Sequence, residues 1–348
     1  MNLKQLGWKE AFGELKENTI VARVISEQRQ FYKLHDGIHE LIGEVSGKFQ
    51  FQANVKSDYP SVGDWVIIEP LKNENKAIIQ KVLPRISQFS RQSAGDKTEE
   101  QIVAANIDFV FLVMALNNDF NIRRLERYLL VAYDSGASPI IVLTKKDLCN
   151  DLSAKIAAVE EIAFGVPIFT VNSTNGEGIE DIKNIVSEGK TVSLLGSSGV
   201  GKSTLLNALL GEMKQLTQGV REGDDRGKHT TTHRELFFLP NGGMVIDTPG
   251  MRELQLWGGE EHISSTFSDV DELAKFCKFS DCTHESEPGC AVNLALQNGE
   301  LDQVRLTSYR KLKRELAYVE RKQDASLARL EREKWKKIHK IMNTKSYK

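Results

Sequence analysis

The octapeptide Gly196-Ser197-Ser198-Gly199-Val200-Gly201-Lys202-Ser203 satisfies G-x-x-x-x-G-K-[ST] at every fixed position, and no other stretch constrains the fold as much. The pattern works only where a buried strand delivers the chain into a glycine-rich turn and a helix carries it away. Backbone N–H groups and the helix N-terminus must converge on a phosphate. Both flanks comply: Val192 to Leu195 is a near-continuous apolar run, and Thr204 to Leu210 is rich in helix formers. In this reading Lys202 neutralises the outer phosphates of a triphosphate and Ser203 offers its hydroxyl to Mg²⁺. Gly196, Ser197, Ser198, Gly199, Val200, Gly201 and Thr204 complete the cradle.

Similar apolar runs recur at Phe109 to Leu116, Ile140 to Leu143, Ile168 to Val171 and Met244 to Ile246, with helical pattern at Ile122 to Tyr133. Strands buried on both faces predict a parallel sheet covered by helices. Residues 19–83 read differently. Ile20 to Ile25, Phe49 to Ala53, Trp65 to Ile68 and Ala77 to Val82 are short β-branched or aromatic stretches between turn residues. They predict a small β-barrel, with an oligonucleotide-binding (OB-like) barrel as one candidate. The expected organisation is therefore multidomain: an OB-like β-barrel with an N-terminal extension at 1–86, a linker at 87–100, an α/β P-loop domain at 101–259, and a mainly α region with a basic helical tail at 260–348.

A phosphate loop does not choose a base. Thr144-Lys145-Lys146-Asp147 follows the run Ile140 to Leu143 and resembles the N/T-K-x-D guanine signature, with threonine where asparagine is commoner. The Asp147 carboxylate would accept two hydrogen bonds from guanine, and adenine would leave it unpaired, at a cost that rejects the wrong base. Asn172-Ser173 follows the run ending at Val171 and is placed to supply a backbone N–H to the guanine oxygen. Asp247-Thr248-Pro249-Gly250 matches D-x-x-G, in which Asp247 holds Mg²⁺ through water and the Gly250 N–H senses the γ-phosphate. Between them, Lys228-His229-Thr230-Thr231-Thr232-His233 offers Thr231 or Thr232 as the switch hydroxyl on Mg²⁺. Met251 stands where Ras-like enzymes carry a water-orienting glutamine. It cannot do that work, so slow intrinsic hydrolysis is expected. His229 is a candidate replacement in water positioning; the alternative is a surface histidine with no catalytic part.

The order of these elements is informative. The base reader comes first, then residues 172–173, the phosphate loop, the switch threonines and D-x-x-G last, which is a circular permutation of the ordinary GTPase order. The D-x-x-G segment then runs directly into the C-terminal region.

That region holds Cys277, Cys282, His284 and Cys290 in the spacing C-x4-C-x-H-x5-C. Three thiolates and an imidazole make the closed donor set of one structural zinc ion, with no open position for catalysis. Cys149 stands apart as a lone structural thiol. Four cysteines in 348 residues are too few for a disulfide framework, which favours a reducing compartment. The longest apolar run has eight residues, far short of a membrane span. The N-terminal stretch carries no secretory pattern either, so a cytoplasmic location is expected. A net charge of -2 conceals a basic arm, because residues 305–348 carry 15 Lys and Arg against 5 Asp and Glu. Such an arm suits either nucleic acid or a solvated helix face.

Taken together, the permuted guanine-site elements, Val62-Gly63-Asp64-Trp65-Val66, Gly227-Lys228-His229-Thr230-Thr231-Thr232 and the cysteine–histidine cluster resemble the RsgA family of bacterial small-subunit-dependent GTPases across roughly residues 19–300. The resemblance implies an OB barrel, a GTPase core and a zinc domain. It also implies a role in late maturation of the 30S ribosomal subunit, with GTP hydrolysis stimulated by that subunit. Docking on 16S rRNA through barrel, zinc domain and tail follows from it, and the absence of a heptad seam favours a monomer. The competing reading is a zinc-stabilised RNA-binding protein for which the nucleotide is only a ligand.

Overall fold

A computed structural model of the chain describes residues 1–13, 18–28, 31–72, 74–92, 100–211, 234–247 and 261–323. They form two compact units, one within residues 1–255 and one comprising the described residues 261–323.

The first unit begins with a closed barrel of β1 (Ile20–Glu27), β2 (Tyr32–His35), β3 (Glu40–Val45), β4 (Trp65–Pro70) and β5 (Lys76–Val82). β1 pairs antiparallel with β2 and β4, β2 with β3 and β4 with β5, while β3 and β5 run parallel and close the ring. This is the order of an OB barrel. Alternation fills it, with Val24, Leu34, Val66, Ile68 and Ile79 pointing inward. Trp65 faces outward and is nevertheless buried, under Leu6 and Phe12 of the N-terminal extension. Val62-Gly63-Asp64 presses against the neighbouring α/β domain. Gly63 has φ 92°, and a Cβ there would come within 2.0 Å of Ala105 O, so only glycine fits. Asp64 is fully buried, and burial raises its carboxyl above the usual range even though Arg85 donates two hydrogen bonds to it, at 2.9 and 2.8 Å.

The expected strand at Phe49 to Ala53 is instead a helix, α1 (Gly47–Gln52). Ser46 caps it by accepting from Phe49 N at 3.1 Å, and none of its side chains is buried. The alternation of Phe and Gln imitates a strand, but no core lies opposite either face and the cap decides. The expected linker also departs from expectation: β6 (Gln88–Gln92) pairs antiparallel with β7 (Glu100–Ala105).

The α/β domain follows with β8 (Phe109–Ala115), β9 (Ser138–Thr144), β10 (Ile168–Thr170), β11 (Thr191–Leu195), β12 (Arg234–Phe238) and β13 (Met244–Asp247). The sheet runs β10-β9-β8-β11-β13-β12. Its strands are parallel except β12, which makes an antiparallel hairpin with β13. Helices α2 (Ile122–Ser135), α3 (Leu152–Glu160), α4 (Ile179–Ile185) and α5 (Lys202–Leu210) connect the strands. Leu205, Leu206 and Leu209 of α5 pack with Phe111, Val113 and Val192 of the sheet in one core. β12 also pairs with barrel strand β1, and Arg234 bonds Glu27 across that junction at 2.9 Å.

The described residues of the second unit form four helices, α6 (Glu261–Thr266), α7 (Ser268–Ala274), α8 (Ala291–Asn298) and α9 (Gln303–Gln323), with a loop over 275–290 between α7 and α8. Val270, Val292, Leu306 and Leu312 are among its buried side chains.

Candidate guanine-nucleotide site and metal centre

Because the strands are parallel, their carboxyl ends share one edge of the sheet, and ligands of open α/β folds bind along such an edge. Thr144 ends β9, Gly196 follows β11, Asp247 ends β13, and Asn172 lies just beyond β10. The permutation changes the order of these elements along the chain and leaves their place on the sheet intact.

Within the expected phosphate loop, Gly201 has φ 100° and turns the chain into α5. The Lys202 ammonium donates to Gly196 O and Ser197 O, both at 2.6 Å, which holds it over the loop. The base-reading loop is braced against this loop: Thr144 Oγ1 donates to Val200 O and, at 3.4 Å, to Met114 O. A threonine hydroxyl is a sufficient donor here, where asparagine is commoner. Lys145 adopts a left-handed conformation, φ 56°, while Lys146 forms an ion pair with Glu177 and donates its backbone N–H to Val171 O. Asp147 is exposed. Asn172 Oδ1 accepts from Thr174 N at 3.0 Å and shapes the turn, and the Ser173 hydroxyl is buried without a partner among the described residues. Thus Thr144, Val200, Gly196, Ser197 and Lys202 come together directly. His229, Thr231, Thr232, Gly250 and Met251 lie outside the described residues.

Sequence reasoning missed one group at this edge. Ser197 Oγ donates to Asp119 Oδ2 at 2.9 Å, and Arg124 Nη1 donates to both Ser197 Oγ at 2.7 Å and Asp119 Oδ2 at 2.8 Å. The Arg124 bond, with help from Ser197 and from the charge of Lys145, holds the Asp119 carboxyl below the usual range, and Asp119 in turn raises Arg124. The only signal in the chain is a polar loop after an apolar strand, which reads equally well as a helix cap.

In the second unit the ligand atoms of Cys277, Cys282, His284 and Cys290 all lie within 4.8 Å of one another. Cys277 Sγ is 3.9 Å from Cys290 Sγ, and His284 Nδ1 is 3.6 and 3.5 Å from those two sulfurs. Zn–S and Zn–N bonds at tetrahedral angles require roughly 3.8 Å between sulfurs and roughly 3.5 Å between sulfur and nitrogen. The cluster therefore fits a metal ion of that size. Burial lowers His284 below the usual imidazole range, which favours the neutral, ligating form. Burial pushes the Cys282 thiol up to about 11, with Cys290 and Cys277 adding to it, so the three thiols cannot ionise independently. Glu287 shapes the loop by accepting from the backbone of Thr283, Glu285 and Ser286 at 2.9 to 3.0 Å. Arg310 of α9 donates to His284 O.

A phosphate loop, a braced T-K-x-D loop and a D-x-x-G aspartate on one sheet edge, in permuted order and beside an OB barrel, define a circularly permuted GTPase. The profile described as "RsgA GTPase" matches residues 82–257. A second, described as "50S ribosome-binding GTPase", matches residues 191–338, beginning at the strand that feeds the phosphate loop. A relative named "Small ribosomal subunit biogenesis GTPase RsgA 1", from Oceanobacillus iheyensis, is 52% identical over 92% of this chain and 91% of its own. Another, "Small ribosomal subunit biogenesis GTPase RsgA" from Opitutus terrae, is 45% identical over 97% and 96%. Among solved structures, YjeQ from Thermotoga maritima aligns with a TM-score of 0.63 at 29% identity, covering 86% of this chain and 98% of that one. YloQ, titled a circularly permuted GTPase, aligns with a TM-score of 0.62 at 25% identity, covering 87% and 97%. The chain belongs to the RsgA GTPase family. Among the described residues no helix is long and apolar enough to cross a membrane.

Proposed function

We propose that the protein is a cytoplasmic, monomeric GTPase that binds the small (30S) ribosomal subunit through 16S rRNA, assists its late maturation, and hydrolyses GTP to GDP and phosphate under stimulation by the subunit. The observation that carries this reading is the pairing of the permuted nucleotide edge with an OB barrel in one compact unit. In this reading barrel, GTPase domain and zinc domain divide near residues 86, 101 and 259. The phosphate loop at 196–203 with Thr204 holds the triphosphate, Asp247 and Gly250 serve Mg²⁺ and the γ-phosphate, and Thr231 or Thr232 closes on Mg²⁺. Thr144, Lys145, Lys146, Asp147, Asn172 and Ser173 face the base, and His229 positions the attacking water. Cys277, Cys282, His284 and Cys290 hold one zinc ion.

Turnover of purified protein measured with and without 30S subunits tests the function directly. The expected result is slow hydrolysis alone and a rise of at least tenfold, about 1.4 kcal/mol in the barrier, when subunits are added. No stimulation would leave the RNA-binding alternative, in which nucleotide is only a ligand.

Base reading has its own test. Asp147→Asn exchanges an acceptor for a donor at the position that pairs with the guanine amino group, so preference should move from GTP towards xanthosine triphosphate. Competition binding with both nucleotides reads this out. Unchanged GTP affinity would show that Asp147 does not touch the base.

A further inference from the structure

Between β9, which feeds the base reader, and β11, which feeds the phosphate loop, lies β8. The loop leaving its carboxyl end, residues 117–121, therefore emerges between the two halves of the nucleotide site. It is a built loop: Asp119 N donates to Asn117 Oδ1 at 3.1 Å, and Asn121 caps α2 by accepting from Arg124 N at 3.0 Å. Arg124 thus stands on the first turn of a helix whose inner face, including Leu125 and Leu129, is buried.

We propose that Asp119 and Arg124 are positioning residues that clamp the phosphate loop through Ser197 and so set the affinity for guanine nucleotide. The clamp holds Ser197 by its side chain, while the same residue's carbonyl accepts from the Lys202 ammonium at 2.6 Å. Fixing Ser197 therefore fixes the cradle of the lysine that would meet the outer phosphates. The charge of Lys145 also helps to keep Asp119 ionised. One guanidinium nitrogen, Nη1, meets the serine oxygen and the carboxylate together, so the charge-assisted bonds tie all three groups at one point. The pair is also poorly placed to serve stability. Arg124 and Asp119 are 27% and 40% exposed, and ion pairs so exposed contribute little to folding. An effect confined to nucleotide affinity is what separates a clamp from a surface salt bridge.

The inference rests on the assignment of residues 196–203 as the phosphate loop, and the experiment keeps the two apart. Fluorescent GDP and a non-hydrolysable fluorescent GTP are titrated into full-length protein carrying Arg124→Ala, Ser197→Ala, both together, Asp119→Asn, or Lys202→Ala. Arg124→Ala and Ser197→Ala should each weaken both nucleotides by about tenfold, and the double variant should be no weaker than either alone, because one interaction is lost only once. In 30S-stimulated turnover of Arg124→Ala the KM for GTP should rise with the loss of affinity while kcat at saturation stays within about twofold. Melting midpoints of the unliganded variants check folding; if Arg124→Ala fails to fold, Ser197→Ala and Asp119→Asn carry the test. Unchanged affinity in the single variants, or losses that multiply in the double, overturns the clamp. Full affinity in Lys202→Ala overturns the phosphate-loop assignment itself.

Discussion

Arg23→Met will destabilise the first unit by roughly 4 kcal/mol and weaken nucleotide binding at a distance. Arg23 is 1% exposed on barrel strand β1, yet its guanidinium serves groups from five other parts of the chain, Met244 Sδ at 3.3 Å among them. Nη1 donates to Leu6 O at 2.6 Å and to Thr191 Oγ1 at 2.9 Å, Nη2 to Asn106 O at 3.0 Å, and Nε to Gly63 O at 3.3 Å. Burial pulls its pKa down to about 10, with Asp108 and Asp64 opposing, so the group remains charged at neutral pH. Replacing a buried ion pair by hydrophobic residues can be neutral, because both charges leave together. Here three of the acceptors, Leu6 O, Gly63 O and Asn106 O, are main-chain carbonyls and stay behind. Each one stripped of its donor costs about 1–3 kcal/mol, and Gly63 O alone retains a second donor, Asn106 Nδ2 at 3.1 Å. Methionine fills the volume and satisfies none of the others. Thr191 opens β11, which ends at the phosphate loop, so loosening that corner reaches the nucleotide edge. Denaturant unfolding followed by tryptophan emission reads the loss where it occurs, since Arg23 lies 5.9 Å from the ring of buried Trp65. A variant within 1 kcal/mol of wild type would mean that water replaces the guanidinium.

Nothing in the sequence around Arg23 announces this role, because its partners are 17 to 221 residues away and most are backbone oxygens. What was legible is of another kind. The runs at Phe109, Ile140, Val192 and Met244 are strands because a parallel sheet is buried on both faces and tolerates few polar residues, and the last three each carry a motif at the carboxyl end. The clustering of Cys277, Cys282, His284 and Cys290 was legible because their spacing in a loop-rich segment has few other uses. Half-exposed elements were not. β2, β3 and β12 mix charged and apolar residues, and their pairing partners decide them more than their own composition does. At Phe49-Gln50-Phe51-Gln52 the period of two was real, but Ser46 supplied a cap and no sheet edge claimed the segment. Asp119 and Arg124 were missed for the same reason as Arg23. Their partner, Ser197, sits at a variable position of a motif whose pattern concerns backbone and lysine alone.

Removing Cys290 from the cysteine–histidine cluster will cost the second unit its fold while sparing the first. Between Lys275 and Cys290, His284 and Cys290 alone are buried, so this loop has almost no apolar core of its own, whereas a structural zinc contributes on the order of 10 kcal/mol or more. The metal loop is also the hub of the unit's polar contacts. Arg310 and Arg314 of α9 reach His284 O and Glu285, so the basic helix is tied to the loop that the ion would close. Cys290 has a second task as the N-cap of α8, with its sulfur accepting from Asn293 N at 3.4 Å. Cys290→Ser is the informative substitution for that reason: serine is an excellent cap but a poor zinc ligand, so the variant isolates loss of metal from loss of capping. In full-length Cys290→Ser protein, zinc content should fall from one equivalent towards zero, hydrogen exchange across residues 261–317 should lose its protection, and affinity for GTP should remain within about twofold. Chelation of the wild-type protein should reproduce all three. Retained protection in α8 and α9 after the metal is gone would show that Phe267, Val292, Leu306 and Tyr309 suffice as a core, and that the ion is an ornament on a fold already stable without it.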